Sequence, residues 1–186
     1  FYLQNSSSVI SNCTFNNNSS ETSGGAFHVQ SMDSVFVLSC HIFNNIANDR
    51  NGGASLQTFD YLLVDSLDAH NNYGDQRNGG LYASGGDNIK VLNSTFLQNT
   101  TDGDGAGLML QNIDSILVSN SIFRENISDL EGAALYIASG NSSDIVNIID
   151  CQFINNTWRN YAGGCIETTG EIKIQSSIID SNLADG

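Results

Sequence analysis

The carboxylates of this sequence recur at a fixed interval, and they are the first groups to consider for chemistry. Five aspartates are separated by 27, 27, 27 and 30 residues: Asp33, Asp60, Asp87, Asp114 and Asp144. If each interval is one turn of a coil, their side chains lie above one another, about 5 Å apart. Stacked carboxylates repel, and Ca²⁺ would relieve that repulsion. The sequence favours an Asx-turn, in which each aspartate accepts backbone N–H groups. We therefore predict no cofactor and keep a Ca²⁺ ladder as the alternative.

The other groups that could take part in catalysis lack this regularity. Acid–base chemistry on a polysaccharide needs clustered carboxylates and a basic side chain that stabilises developing charge. The six basic residues are scattered over different positions of the interval, and His28, His41 and His70 occupy three different contexts. A second acidic column indicates a solvated face, with weak Ca²⁺ binding as the alternative: Asp75, Asp102 and Asp129, joined by Asp104 and Glu131. We therefore predict that the chain is not an enzyme.

Cysteine and asparagine supply two further kinds of site. No C-x-x-C pair is present, which argues against zinc. Three of the four cysteines, Cys13, Cys40 and Cys151, share one small interior position, from which Cys165 stands apart. Free thiols are favoured there, with a Cys13–Cys40 disulfide as the alternative, because that pair lies on adjacent turns. Among the N-x-[ST] sequons, the better glycan acceptors of a protein secreted by a eukaryote are Asn12, Asn93 and Asn141.

A repeat of about 27 residues reveals the elements that must position these groups. Seven asparagines mark it, each three residues after a Phe, Ile or Ala: Asn18, Asn45, Asn72, Asn99, Asn126, Asn156 and Asn182. Apolar pairs two residues apart, such as Val35 and Val37, keep the same step and predict a strand with one buried face. Pairs of small residues, such as Gly52 and Gly53, form a third recurring position that is typical of a tight corner.

This combination predicts an all-β fold, a β-solenoid of about seven rungs. We expect residues 1–186 to be one β-helix segment, internal to a larger protein. The short strands and glycine corners indicate a coil whose turns stack at roughly 4.8 Å. Leucine-rich repeats would need a recurring leucine skeleton, which is absent. The repeated asparagines would then form an inward ladder of stacked amides with a structural role.

Composition narrows the class of partner. The net charge is −14, from six basic and twenty acidic residues. Nucleic acids and anionic membrane surfaces attract basic patches, so neither is an expected partner. No apolar run approaches the roughly 20 residues of a membrane helix, so this segment is not expected to insert into a membrane. We expect other protein subunits or flanking domains of a surface assembly as partners, with glycans as the alternative.

The outward positions of the predicted strands indicate where such partners would bind. Alternation should place polar side chains on the outside of a free sheet, yet one outward stripe is apolar: Phe36, Leu38, Leu63, Leu92, Leu117 and Ile149. A second outward column is expected to hold Phe27, Ser55, Tyr82, Met109, Tyr136 and Ile166. Tyr82 and Tyr136 would be available to a protein or to sugar rings. A stacked apolar stripe suggests a covered surface, so we predict a protein interface there.

The repeats resemble those of the polymorphic outer membrane protein family, which are defined by G-G-A-[ILV] and F-x-x-N motifs. Residues 24–27 (Gly-Gly-Ala-Phe) approximate the first motif, and residues 96–99 and 123–126 match the second. The resemblance implies a right-handed parallel β-helix of the kind found in surface adhesins and autotransporter passengers. It therefore implies an extracellular or cell-surface module with a structural or adhesive role. Pectate lyases and polygalacturonases share the fold, so a polysaccharide-active enzyme or a glycan-binding module is the alternative.

Overall fold

The computed structural model describes residues 6–138, 145–159 and 164–185. Within these ranges the regular secondary structure consists of β-strands alone. The strands coil into a solenoid in which each one pairs in parallel with strands of the neighbouring rungs. The predicted all-β parallel solenoid is therefore confirmed. Its rungs form because β-branched and aromatic residues alternate with polar ones over short segments that end at Asn, Ser or Gly.

Three parallel sheets run along the rod. Sheet A contains β1 (Ser7–Ser11), β4 (Phe27–Leu38), β7 (Ala54–Asp65), β10 (Leu81–Leu92), β13 (Leu108–Ser119), β16 (Leu135–Ala138), β17 (Ile145–Ile149), β20 (Ile166–Thr168) and β21 (Ile172–Gln175). Sheet B contains β2 (Thr14–Asn16), β5 (His41–Phe43), β8 (Asp68–His70), β11 (Thr95–Leu97), β14 (Ile122–Arg124), β18 (Gln152–Ile154) and β22 (Ile178–Asp180). Sheet C contains β3 (Ser19–Ser20), β6 (Ile46–Ala47), β9 (Tyr73–Gly74), β12 (Thr100–Thr101), β15 (Ile127–Ser128), β19 (Thr157–Trp158) and β23 (Leu183–Ala184). Sheets B and C each have seven strands within the described ranges, so the chain makes about six turns from the first rung to the last.

The corners explain why the sequence is rich in Asn and Ser. Each passage from sheet A to sheet B turns on a residue with positive φ: Asn12, Ser39, Ser66, Asn93, Asn120, Asp150 and Ser176. Each passage from sheet B to sheet C does the same: Asn17, Asn44, Asn71, Gln98, Glu125, Asn155 and Ser181. Asn and Asp tolerate the left-handed conformation better than other side chains, because their short polar groups can form local hydrogen bonds.

In the core, side chains of the same type stack on one another from rung to rung. The rings of Phe96 and Phe123 stack with centroids 4.9 Å apart, and those of Phe123 and Phe153 with centroids 4.8 Å apart. In the third rung Ala69 replaces the phenylalanine, while Leu67 stands where other rungs carry Cys or Ser, and both side chains are buried. The exchange of a large and a small residue within one rung keeps its volume nearly constant.

One outward column differs from the prediction at both ends. It contains His28, Ser55, Tyr82, Met109, Tyr136 and Glu167. The predicted members Phe27 and Ile166 are each one residue out of register. Phe27 turns inward because its ring packs on that of Phe15, with centroids 5.0 Å apart. Ile166 likewise packs against the core.

Glycine occupies the corner between sheets C and A because the backbones of two rungs approach closely there. A Cβ built on Gly80 would fall within contact distance of the Gly107 carbonyl oxygen and 3.2 Å from the side-chain amide of Asn99. The missing side chain therefore makes room for the neighbouring rung and for the asparagine column.

Candidate functional site

The seven predicted ladder asparagines stack at the corner between sheets B and C. The Nδ2 of each of the first six donates to the Oδ1 of the asparagine one rung further on, as from Asn72 to Asn99 at 2.9 Å and from Asn99 to Asn126 at 3.1 Å. The same Oδ1 also accepts a backbone N–H, as Asn99 does from Asn72 at 3.1 Å. The second amide hydrogen of Asn99 goes to the carbonyl of Ala69 at 2.9 Å. One side chain thus ties three rungs together.

The burial of this ladder indicates that its role is structural. Five of its members are fully buried: Asn45, Asn72, Asn99, Asn126 and Asn156. Asn18 is exposed and Asn182 is half-buried, because these two lie in the first and last described rungs. Since the amides of the interior members are used in bonds between rungs, the ladder holds the rod together and offers nothing to a ligand.

The predicted apolar stripe lies on the outward side of sheet A. We call the sheet A face the following residues, all half-buried: Phe36, Leu38, Tyr61, Leu63, Leu92 and Leu117. Phe36 pairs with Leu63, and its ring lies 6.0 Å from that of Tyr61. Sequence reasoning did not include Tyr61, although its place two residues before Leu63 puts it on the same side of β7.

The stripe is graded along the rod. The column of Phe36 continues through Leu63, Lys90 and Leu117, then becomes Asn147 and Lys173. The last predicted member, Ile149, lies in the sixth rung, where it pairs with Ser119 of the fifth. The polar Asn147 precedes it by two residues on the same strand. Lys90 therefore interrupts this column in the fourth rung, where Leu92 supplies the apolar side chain, and the column is polar after Leu117.

The two tyrosines of the second outward column are not equivalent, and neither presents an open ring. Tyr82 is only 8% exposed, and its hydroxyl donates to Gln111 Oε1 at 2.9 Å. Tyr136 is half-buried, because the loop at Gly105 and Gly132 lies close to its Cβ. Burial, followed by the charge of nearby carboxylates, raises the pKa of Tyr136. The expectation that Tyr82 is available to sugar rings or partners is wrong, because its side chain is buried and its hydroxyl is bonded within the chain.

The first aspartate column is exposed and does not make the predicted turns. Asp33, Asp60, Asp87 and Asp114 are all exposed, and none of their carboxylates has a hydrogen-bond partner in the described residues. The Asx-turn expectation is therefore wrong for these four positions. The chain turns instead on a positive-φ column two residues earlier: Ser31, Thr58, Gly85 and Asn112. Asp144 lies outside the described residues. No group of three or more His, Cys, Asp or Glu arranged to hold a metal ion occurs in the described part of the chain.

A cluster that sequence reasoning missed lies on the outward side of sheet B. His41 Nδ1 is 3.4 Å from Asp68 Oδ2, and His70 Nε2 is 3.9 Å from the same oxygen. The His70 ring stacks on Phe43 with centroids 4.8 Å apart. Two of the three histidines thus share one carboxylate instead of lying in separate contexts. The 27-residue step could have revealed this, because it aligns His41 with Asp68 and Phe43 with His70.

The second acidic column is partly organised by a tyrosine. The Tyr73 hydroxyl lies 3.2 Å from Asp75 Oδ1 and 3.1 Å from Asp102 Oδ2, and it can donate to one of them at a time. Burial, followed by the Asp102 carboxylate, raises the pKa of Tyr73 to about 12. Asp129 pairs with Arg159 at 3.1 Å. Asp75, Asp102 and Asp129 of this column thus have partners within the chain, and weak Ca²⁺ binding stays an untested alternative.

The cysteines are all free thiols, including Cys13 and Cys40 on adjacent rungs. Cys40, Cys151 and Cys165 are buried, and burial raises the pKa of each, that of Cys165 to about 12. Such buried thiols are poor nucleophiles, because the thiolate is the reactive form.

Two of the three predicted glycan acceptors lie where an enzyme could reach them. Asn12 and Asn93 are exposed at the corner between sheets A and B, and Asn93 Nδ2 donates to Asp65 at 2.9 Å. Asn141 lies outside the described residues. Glycosylation at these positions stays a prediction.

Comparison with known proteins agrees with the fold. No curated protein and no solved structure matches the chain. In the described residues no helix is long and apolar enough to cross a membrane. The model of one protein family, described as right handed beta helix region, matches residues 1–179. The match indicates that the solenoid is right-handed, and it extends over almost the whole sequence. This chain therefore belongs to the right-handed β-helix family.

Proposed function

We propose that the chain is a non-catalytic structural or adhesin-like module of a large secreted or cell-surface protein, and that it binds other proteins through the sheet A face. One observation carries the proposal. Phe36, Leu63 and Leu117 occupy outward positions of a sheet at which alternation should place polar side chains. A contiguous apolar stripe costs solubility unless it is covered, so it is typical of an interface.

The rod itself supports a spacer role. The buried asparagine ladder and the stacked phenylalanines join each rung to the next, so the sheet A face is held on a continuous scaffold. A polysaccharide-active enzyme of this fold would need carboxylates and a basic group on one outer face. The exposed aspartates of sheet A have no basic partner within salt-bridge distance among the described residues, which favours the binding module over the enzyme.

Site-specific photo-crosslinking in cells that make the full-length protein tests the interface. A photoreactive amino acid replaces Lys90, which lies between Leu63 and Leu117 of the sheet A face, or Asn48, on the loop after sheet C. We expect protein adducts from position 90 and none from position 48. Adducts of equal yield from both positions, or none from position 90, would contradict the proposal.

A pair of double variants sharpens this test. Phe36→Asp with Leu63→Asp should abolish the adducts, while the β-sheet circular dichroism of the isolated chain stays unchanged, since neither side chain points into the core. Phe43→Asp with Leu97→Asp makes the same chemical change on the outward side of sheet B and should leave the adducts intact. Protease added to intact cells should remove the chain if it lies at the cell surface.

A further inference from the structure

We propose that the sheet A face receives a basic, amphipathic helix of a partner protein, lying along the rod axis across the early and middle rungs. The inference rests on the proposed function and adds the charge, shape and orientation of the partner. It is carried by the charges that border the sheet A face and by the spacing of its columns.

The charge argument starts from the aspartate column. Asp33, Asp60, Asp87 and Asp114 are exposed on successive rungs, each three residues before an outward residue of the Phe36 column. Their carboxylates have no hydrogen-bond partner in the described residues. Neighbours one rung apart are separated by about 5 Å, so their repulsion is relieved in this chain only by solvent and salt.

The surface formed by the sheet A face and the charged residues beside it is negative as a whole. Asp65 adds a fifth carboxylate beside Leu63, and Lys90 supplies one positive charge, so these six residues carry a net charge of 1 − 5 = −4. The Lys90 side chain is half-buried, which leaves its methylene groups as part of the apolar surface. A partner with apolar residues bordered by Lys or Arg therefore complements the surface in both respects.

The spacing of the columns favours a helix. Three residues along a strand measure about 10 Å, which is close to the diameter of an α-helix with its side chains. Rungs repeat at about 4.8 Å, and helical turns at about 5.4 Å, so helix residues at i, i+3 or i+4, and i+7 would meet successive rungs. The four rungs from Asp33 to Asp114 span about 14 Å, a length that about ten helical residues cover.

A second copy of the chain fits this surface less well. The net charge of −14 opposes association of two copies, and two sheet A faces brought together would bring two carboxylate columns of the same sign into one interface. A basic helix removes that repulsion instead of doubling it.

Synthetic peptides test the inference directly. The probe is an amphipathic, helix-forming peptide of about 14 residues with leucines on one side and lysines bordering them. Its twin carries glutamates in place of the lysines, and a second control keeps the lysines but replaces the leucines with serines. In fluorescence anisotropy with the 186-residue chain, we expect the basic amphipathic peptide to bind at least about tenfold more tightly than either control, and to weaken at about 0.5 M NaCl.

Variants of the chain locate the binding. Asp60→Asn with Asp87→Asn should weaken the basic peptide about tenfold. Asp75→Asn with Asp102→Asn removes the same charge from the loop after sheet C and should have little effect. Leu63→Ser with Leu117→Ser should abolish binding while circular dichroism stays unchanged.

The outcomes separate this inference from the proposed function. If the acidic twin binds as well as the basic peptide and Leu63→Ser with Leu117→Ser abolishes both, the face is an interface but the partner's charge is wrong. If both aspartate pairs weaken binding equally, the peptide is held by general charge and the inference fails. If sedimentation shows a dimer that the leucine variant abolishes, the occupant is a second copy, and the inference fails. If none of the peptides binds the chain but photo-crosslinks form from position 90, the proposed function stands and the inference of a helical partner fails.

Discussion

The amide of Asn99 shows how much a single polar residue can contribute inside a solenoid. It accepts from the backbone and the side chain of Asn72, and it donates to Asn126 and Ala69. None of these groups can turn to water, because the corner is fully buried. The residue therefore matters for the two neighbouring rungs as much as for its own.

We expect Asn99→Ala to lower the free energy of unfolding by about 3 kcal/mol, because it leaves buried donors of Asn72 and a carbonyl of Ala69 unpaired. Asn48 is exposed and has one side-chain bond, to Glu21 at 3.2 Å, so Asn48→Ala should change stability by less than about 0.5 kcal/mol. Chemical denaturation of both variants measures the difference. Equal losses at the two positions would contradict the structural role of the ladder.

Tyr73 provides a prediction that depends on pH. Its pKa is raised to about 12 in the folded chain, against about 10 in an unfolded one. The folded state therefore holds this proton more tightly, so its contribution to stability is complete below pH 10 and is lost as the pH rises toward 12.

Replacing the nearby carboxylate should shift this titration. Asp102→Asn removes a negative charge that disfavours tyrosinate, so we expect the Tyr73 pKa to fall, and Tyr73→Phe should delete the transition. Ultraviolet absorbance of tyrosinate against pH measures both. Superimposable curves for the wild type and Asp102→Asn would show that the carboxylate has no influence.

Individual residues differ in how far sequence reasoning could place them. The ladder asparagines follow from spacing alone, because a buried column repeats the same contact in every rung. The burial of Tyr82 could not be predicted, because the strand period gives the side of the sheet on which a residue lies and not what packs over that side. The aspartates were assigned turns that the positive-φ residues Ser31 and Thr58 make instead.

At the scale of elements, the glycine positions within one rung differ in how well they tolerate a side chain. A Cβ on Gly80 would collide with the backbone of the next rung, whereas a Cβ on Gly85 would have no heavy atom nearer than 3.8 Å. Gly85 has a positive φ, as do Ser31, Thr58 and Asn112 at the equivalent positions. Sterics therefore restrict the first glycine, and only backbone conformation restricts the second.

We expect Gly80→Ala to destabilise the chain by about 3 kcal/mol, since the strand and the asparagine column must both move. Gly85→Asn should cost less than about 1 kcal/mol, because asparagine accepts the same backbone conformation in the next rung. Thermal and urea denaturation of the two variants test the contrast. Similar losses in both would mean that close approach does not set the corner.

Strands, their register and the apolar stripe were within reach of the sequence, because one 27-residue period aligns the columns through most of the chain. The period fails where residues are inserted or deleted, as around the first glycine corner. There Phe27 turns inward to meet Phe15, a long-range contact that no local pattern contains.

For the whole molecule, net charge should govern the response to ions. Exposed carboxylates stacked along sheet A repel, and salt screens them. We expect NaCl to raise the melting temperature, and CaCl₂ to raise it no more than MgCl₂ at equal ionic strength, because the described residues contain no cluster of metal ligands. A chelator should leave the melting temperature unchanged. A specific rise with CaCl₂, reversed by the chelator, would favour the calcium ladder instead.

The parallel pairing along the rod also determines how this protein would carry a mechanical load. The bonds between rungs run along the rod axis, so tension between the two ends pulls on one rung at a time and not on all of them together. Each rung of about 27 residues that peels away would release roughly 90 Å of extended chain in exchange for about 5 Å of rod. Under force such a module would lengthen stepwise and absorb work, as a tether does, while the remaining rungs keep their register.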